Sequence, residues 1–155
     1  MFRCILIALS FLIIGCSNSS SVNPISPTFE TIAFDVVEKQ LVFGIDLPMN
    51  FKNSISQWFE LKVKTNGFDG NMKFTLTKFN QEISSISDGK RVDISLFFNI
   101  LLDKPSLSHT KLIEGNVASF GELTGDFSLA EFDTVIENTQ SDLILRLSRD
   151  LKSKI

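Results

Sequence analysis

From Val92 to Leu102 every second position is apolar: Val92, Ile94, Leu96, Phe98, Ile100 and Leu102 hold one side of the chain without exception. That is the period of a strand with a buried face. Asp88-Gly89, just ahead of it, has the chemistry of a hairpin tip. On the other arm Met72, Phe74 and Leu76 alternate with Lys73, Thr75 and Thr77. The apolar parity then flips to Phe79 and Ile83, which predicts either a bulge near Lys78 or a far end buried on both faces. Thr110 to Leu123 carries Leu112 or Ile113, Val117, Phe120 and Leu123, interrupted by Gly115 and Gly121. These breaks predict an edge strand. Upstream, Ile32, Phe34 and Val36 alternate with Thr31, Ala33 and Asp35, and predict a first strand running from Phe29 to about Gln40.

Two stretches carry the longer period of a helix. Phe51, Ile55, Trp58, Phe59 and Val63 recur at helical spacing, with Asn50 as a candidate cap, Lys62 and Lys64 in the last turn, and Asn66-Gly67 as the stop. Trp58 shares its stripe with Ile55 and Phe59, which predicts core packing. Ser128 followed by Glu131, with Phe127 and Phe132 outside and inside the cap, predicts a capping box with a hydrophobic staple. The helix that begins there has an apolar stripe of Phe132, Val135, Ile136, Thr139, Leu143, Leu147 and Leu151. Asp142, Arg146, Asp150 and Lys154 make a polar stripe at i,i+4 spacing. The order β-α-β-β-β-α predicts an α+β fold: a two-layer sandwich of about four mainly antiparallel strands, with both helices on one face.

The pattern is different at the start. Arg3 precedes an uncharged run from Cys4 to Ile14, long enough for the apolar part of a secretory leader and too short for a bilayer span of about 20 residues. Ser17 to Pro27 is small, polar and broken by prolines, as a flexible tether is. The expected organisation is therefore a leader over 1–15, a cysteine and tether over 16–28, and a single α+β domain over 29–155. Loss of the fifteen leader residues from 155 leaves 140, enough for one domain with its own core. Loss of Arg3 takes the formal charge from −3 to −4, an acidic balance that excludes a nucleic-acid binder. The two cysteines are Cys4 and Cys16, so no disulfide is expected inside the domain.

Ile13-Ile14-Gly15-Cys16 resembles the lipobox of bacterial lipoproteins. In that family the peptide bond before the cysteine is cut and the cysteine becomes the acylated first residue. The resemblance implies cleavage between Gly15 and Cys16 and a covalent lipid on Cys16, with no other cofactor. One acyl chain binds a membrane only reversibly, whereas two or three hold it. Ser17 stands where Asp would favour inner-membrane retention, which implies the outer membrane. The element order also resembles small periplasmic domains of envelope-assembly and transport-auxiliary lipoproteins of proteobacteria. Leu47-Pro48, Trp58 in Ser56-Gln57-Trp58-Phe59-Glu60-Leu61-Lys62, and Asn66-Gly67 match the outline of largely uncharacterised lipoproteins of that group, from which no functional residue carries over.

Little else bears chemistry. His109 is the only histidine, which excludes a Ser-His-Asp triad and a multi-histidine metal site. Asp133 with Glu137, and Asp88 with Asp93, are expected to be solvated rather than catalytic. No enzyme activity and no metal are expected. Phe97 and Leu101 put apolar groups on the second face of the best strand, and with Phe79 and Ile83 they make a candidate apolar contact surface. The expected role is a non-catalytic accessory component of a cell-envelope assembly or transport system, held to the membrane by its lipid and docked on an envelope protein. The alternative is a module that binds lipid or another small apolar ligand, which needs an apolar cavity of about 300–1,000 Å³.

Overall fold

The computed structural model describes residues 29–155. The expected leader over 1–15 with Gly15, and Cys16 with the expected tether over 16–28, lie outside the described residues. The chain runs β1 (Ile32–Phe34), β2 (Glu38–Phe43), α1 (Met49–Lys62), β3 (Val63–Thr65), β4 (Asn71–Ile86), β5 (Gly89–Lys104), a 3₁₀ turn (Pro105–Leu107), β6 (His109–Thr124) and α2 (Leu129–Lys154). The main sheet has the order β2-β4-β5-β6. Its β2 and β4 are parallel, and β4, β5 and β6 form an antiparallel meander. Both helices belong to the hydrophobic core on one side of this sheet, so the fold is an α+β sandwich.

The alternation from Val92 to Ile100 is realised as written, with Val92, Ile94, Leu96, Phe98 and Ile100 all buried. Asp88 sits in the turn between β4 and β5, and the hairpin closes with Ile86 opposite Gly89. The register jumps between Leu76 and Lys78, leaving Thr77 as the extra residue of a bulge. That extra residue explains the parity flip, because it returns the odd-numbered side chains to the face that the even-numbered ones had held.

Phe74 is the hub of the core. Its ring lies 5.4 Å from that of Phe98 and nearly parallel to it, 5.9 Å from Phe59, and 6.3 Å from Trp58 in an edge contact. Side chains of β4, β5 and α1 thus meet on one ring, and each fully buried Phe contributes about 1.5–3 kcal/mol of burial. Leu143, Leu147 and Leu151 close the core from α2, and Ile113 and Val117 do so from β6. The glycines that interrupt β6 have a packing reason. A Cβ at Gly121 would come within 2.3 Å of Thr139 Oγ1, and one at Gly115 within 2.4 Å of the Phe98 ring. They bring α2 close to the edge strand.

The amino-terminal part departs from the pattern. The single strand expected over Phe29 to Gln40 is two strands in two sheets: β1 pairs in parallel with β3, and β2 pairs with β4. The bend between them is held by Asn66 and Gly67, whose N–H groups donate to the carbonyls of Phe34 and Val36 at 3.0 and 3.1 Å. A Cβ at Gly67 would stand 2.5 Å from the backbone at Asp35 and Val36, so only glycine fits. Val63, expected on the helix stripe, instead opens β3 opposite Ile32 and is still buried. Asn50 is not the cap of α1. The helix begins at Met49 with Pro48 before it, and no side chain caps it.

The start of α2 follows its sequence. Ser128 Oγ accepts from the Glu131 N–H at 3.2 Å, and the Ser128 N–H donates to Glu131 Oε2 at 2.7 Å. The Phe127 and Phe132 rings stack 6.1 Å apart as the staple. Along the polar stripe Arg146 pairs with Asp142 at 2.6 Å, and Lys154 with Asp150 at 2.7 Å.

Candidate docking surface

The register divides the four residues of the expected apolar surface. Phe79 lies opposite Leu96 and Ile83 opposite Val92, so both point to the helix side of the sheet. The bulge at Thr77 put them there. Phe79 packs on the core with its ring 5.4 Å from Phe51, whereas Ile83, near the hairpin tip, stays about half exposed. Phe97 and Leu101 do face the other side, opposite Asn116 and Leu112 of β6. The surface they belong to is completed by β6: Leu112 is 57% exposed and Phe120 55%. Of the two apolar residues at the start of that strand, Ile113 and not Leu112 takes the core position, and Phe120 lies opposite Asp93 on the open side. A strand with breaks at both glycines offered no unbroken alternation from which to settle these sides.

Among the described residues no helix covers this open face, and its two ends differ. Near the hairpin tip the apolar groups are capped by cations. The Arg91 guanidinium lies 4.2 Å from the centre of the Phe120 ring. It donates two 2.8 Å bonds to Asp93 and one of 3.0 Å to Glu122. Those bonds to Asp93 hold the Asp93 carboxyl below its ordinary range, and in return hold the guanidinium charged. Lys78 Nζ covers Phe97 at 5.5 Å. At the other end Leu101 and Leu112 stand opposite each other, both exposed, without such a cover. A bare Leu pair next to a cation-capped aromatic row can bind another apolar surface and align it by charge.

The groups weighed for catalysis are dispersed. His109 is exposed at the start of β6 and lines a groove of about 250 Å³ with Leu102, Leu107 and Lys111. Asp93 is engaged by Arg91, far along the strand from any histidine, and Asp133 and Glu137 lie exposed on α2. Among the described residues no three His, Cys, Asp or Glu side chains gather to hold a metal ion. No described helix is long and apolar enough to cross a membrane.

Depressions lie in the helix layer. One, of about 260 Å³, runs between α1 and α2 and is lined by Phe29, Trp58, Leu61, Lys62 and Ile144 among others. Trp58 is buried at its floor, and its Nε1–H finds no acceptor among the described residues. This groove is smaller than the 300–1,000 Å³ of ordinary ligand sites. The interior beneath it is filled by the Phe74 cluster.

The architecture defines the chain as a two-layer α+β sandwich. No family model matches the sequence, and no curated protein matches it. Solved structures are similar in part. A minor lipoprotein from Acinetobacter baumannii superposes with a TM-score of 0.46 at 9% identity, covering 77% of this chain and 92% of that one. The rare lipoprotein B from Shewanella oneidensis gives 0.45 at 10%, covering 76% and 92%. Lipoprotein GNA1162 from Neisseria meningitidis gives 0.30 at 9%, covering 68% and 99%.

Proposed function

We propose that this chain is a lipid-anchored, periplasm-facing lipoprotein. In this reading Cys16 carries the lipid, the outer membrane holds it, and the domain acts without catalysis as a docking component of a cell-envelope assembly or transport system. The observation that carries the reading is the juxtaposition of Gly15-Cys16, a serine-rich tether and a domain whose sheet has one face open, with Leu101 and Leu112 bare upon it. An anchor with a tether fixes where a small domain works, and an uncovered apolar pair gives it something to do there without reacting groups.

Two measurements test this. Labelled palmitate should enter the native protein and not Cys16→Ser. A photo-crosslinking residue at Leu112, introduced in living cells, should give one discrete adduct with a membrane protein. The same residue at Asp126, in the turn before α2, should give none. Equal labelling of Cys16→Ser would remove the anchor, and the absence of an adduct from both Leu101 and Leu112 would remove the docking role.

A further inference from the structure

We propose that the helix layer makes a second contact with the membrane: the rim of the α1–α2 groove seats on the anionic phospholipid headgroups of the leaflet that holds the anchor. This deepens the reading above and rests on the lipid at Cys16.

The described chain begins at Phe29, which lines the α1–α2 groove with Trp58, Leu61 and Lys62. The next residue, Glu30, lines a second depression of about 360 Å³ with Leu145, Arg149 and Lys152. Cys16 lies only thirteen residues before Phe29. A flexible chain of that length spans about 20 Å, so this rim stays within one tether length of the acyl chains.

Its chemistry suits such a surface. Lys62 lines the groove, and Arg149 and Lys152 line the neighbouring depression with Glu30, which pairs with Lys152; Asp142, near Arg149, is paired with Arg146, so cations outnumber carboxylates here in a mature chain whose net charge is −4. A cation beside an anionic leaflet raises surface occupancy about five-fold, and falls silent in high salt. Leu61, beside Lys62 on the groove, is 55% exposed, and an apolar side chain at such a rim enters the boundary between headgroup and acyl chain. Seating this way also turns Leu101 and Leu112 away from the membrane, because the helices and the open face lie on opposite sides of the sheet.

Trp58 is the only tryptophan and lines the groove, so it reports the contact directly. The purified acylated protein would be reconstituted in vesicles of phosphatidylglycerol and phosphatidylcholine in which a share of the lipid carries brominated acyl chains. Trp58 emission should fall as the brominated share rises. The loss should shrink in pure phosphatidylcholine, at high salt, and in Lys62→Glu with Arg149→Glu, while the protein still floats with the vesicles. A thermal transition kept by the double variant would show that it folds, and Leu61→Ser should lower the quenching without any change of charge.

Unquenched Trp58 in protein that floats with the vesicles overturns the membrane contact and leaves the anchor standing. Crosslinking of Leu61→Cys to itself under those conditions would assign the groove to a second copy, which also overturns it. Protein that fails to float means that the anchor itself is wrong.

Discussion

The ammonium of Lys39, on β2, lies 2.8 Å from the carbonyl oxygen of Val63, just past the end of α1, and 3.1 Å from that of Phe59. It also sits over the Phe59 ring at 4.8 Å. The last turn of a helix leaves carbonyls without partners, and a cation there is favoured by the helix dipole. A residue 24 positions earlier in the chain therefore closes α1. Lys39→Met keeps the apolar stem and removes the donor, and should lower stability by about 1–2 kcal/mol in urea denaturation with an unchanged slope.

Gly115 and Gly121 set the distance between β6 and α2. Gly115→Val must push on the Phe98 ring and on Lys154 Nζ, which would stand 2.6 Å from the new carbon. Overpacking of this kind should cost about 1–3 kcal/mol. The exposed Ala118→Val, on the open side of the same strand, should shift the thermal transition far less. Equal shifts would mean that helix approach is not what the glycine provides.

Phe74 holds both layers together. Phe74→Ala should cost about 3–5 kcal/mol, a large share of a small domain's stability. The expected outcome is loss of cooperative melting near ambient temperature, with Phe79→Ala, which is only partly buried, tolerated better.

Asp142 links α2 to the edge strand. Partial burial alone would raise its carboxyl pKa, but the 2.6 Å bond donated by Ser119 and the pairing with Arg146 outweigh that and lower it from the ordinary 3.8. A depressed folded-state value makes the contribution fully present above the unfolded value near 4 and lost as pH falls through the folded one. Native protein should therefore be more stable than Asp142→Asn at neutral pH, and the two urea midpoints should converge as pH falls below about 4. A constant gap across that range would assign the difference to something other than charge.

Ser128→Ala removes the acceptor for the Glu131 N–H and should cost about 1 kcal/mol. Glu131 is held below its ordinary pKa by the backbone and side-chain bonds from Ser128. The contribution of that box is accordingly present above the unfolded value of 4.5 and fades in acid, which a pH series of helix content by circular dichroism can follow.

Much of this was legible before any coordinates, because it rests on neighbours in sequence. Strand β5, the hairpin at Asp88-Gly89 and the box at Ser128 each follow from residues within a few positions of one another. What was not legible lay in pairings across the chain. Alternation says that Phe79 and Ile83 share a side, but not which one, and the face they occupy followed only from the extra residue at Thr77. Asp35 to Val37 kept an alternating pattern through a bend because Asn66 and Gly67, some thirty positions later, supply its hydrogen bonds.

The order of apolar and polar residues by itself determined the two helices, the three long strands β4, β5 and β6 and the α+β class, since each depends on local period or on contiguous residues. Tertiary structure alone decided that β2 runs parallel to β4, that Lys39 closes α1, and that Leu101 meets Leu112 on an open face while Phe79 turns inward. Those depend on which segments pair and in what register, and a single residue's slip in register exchanges the two faces of a strand.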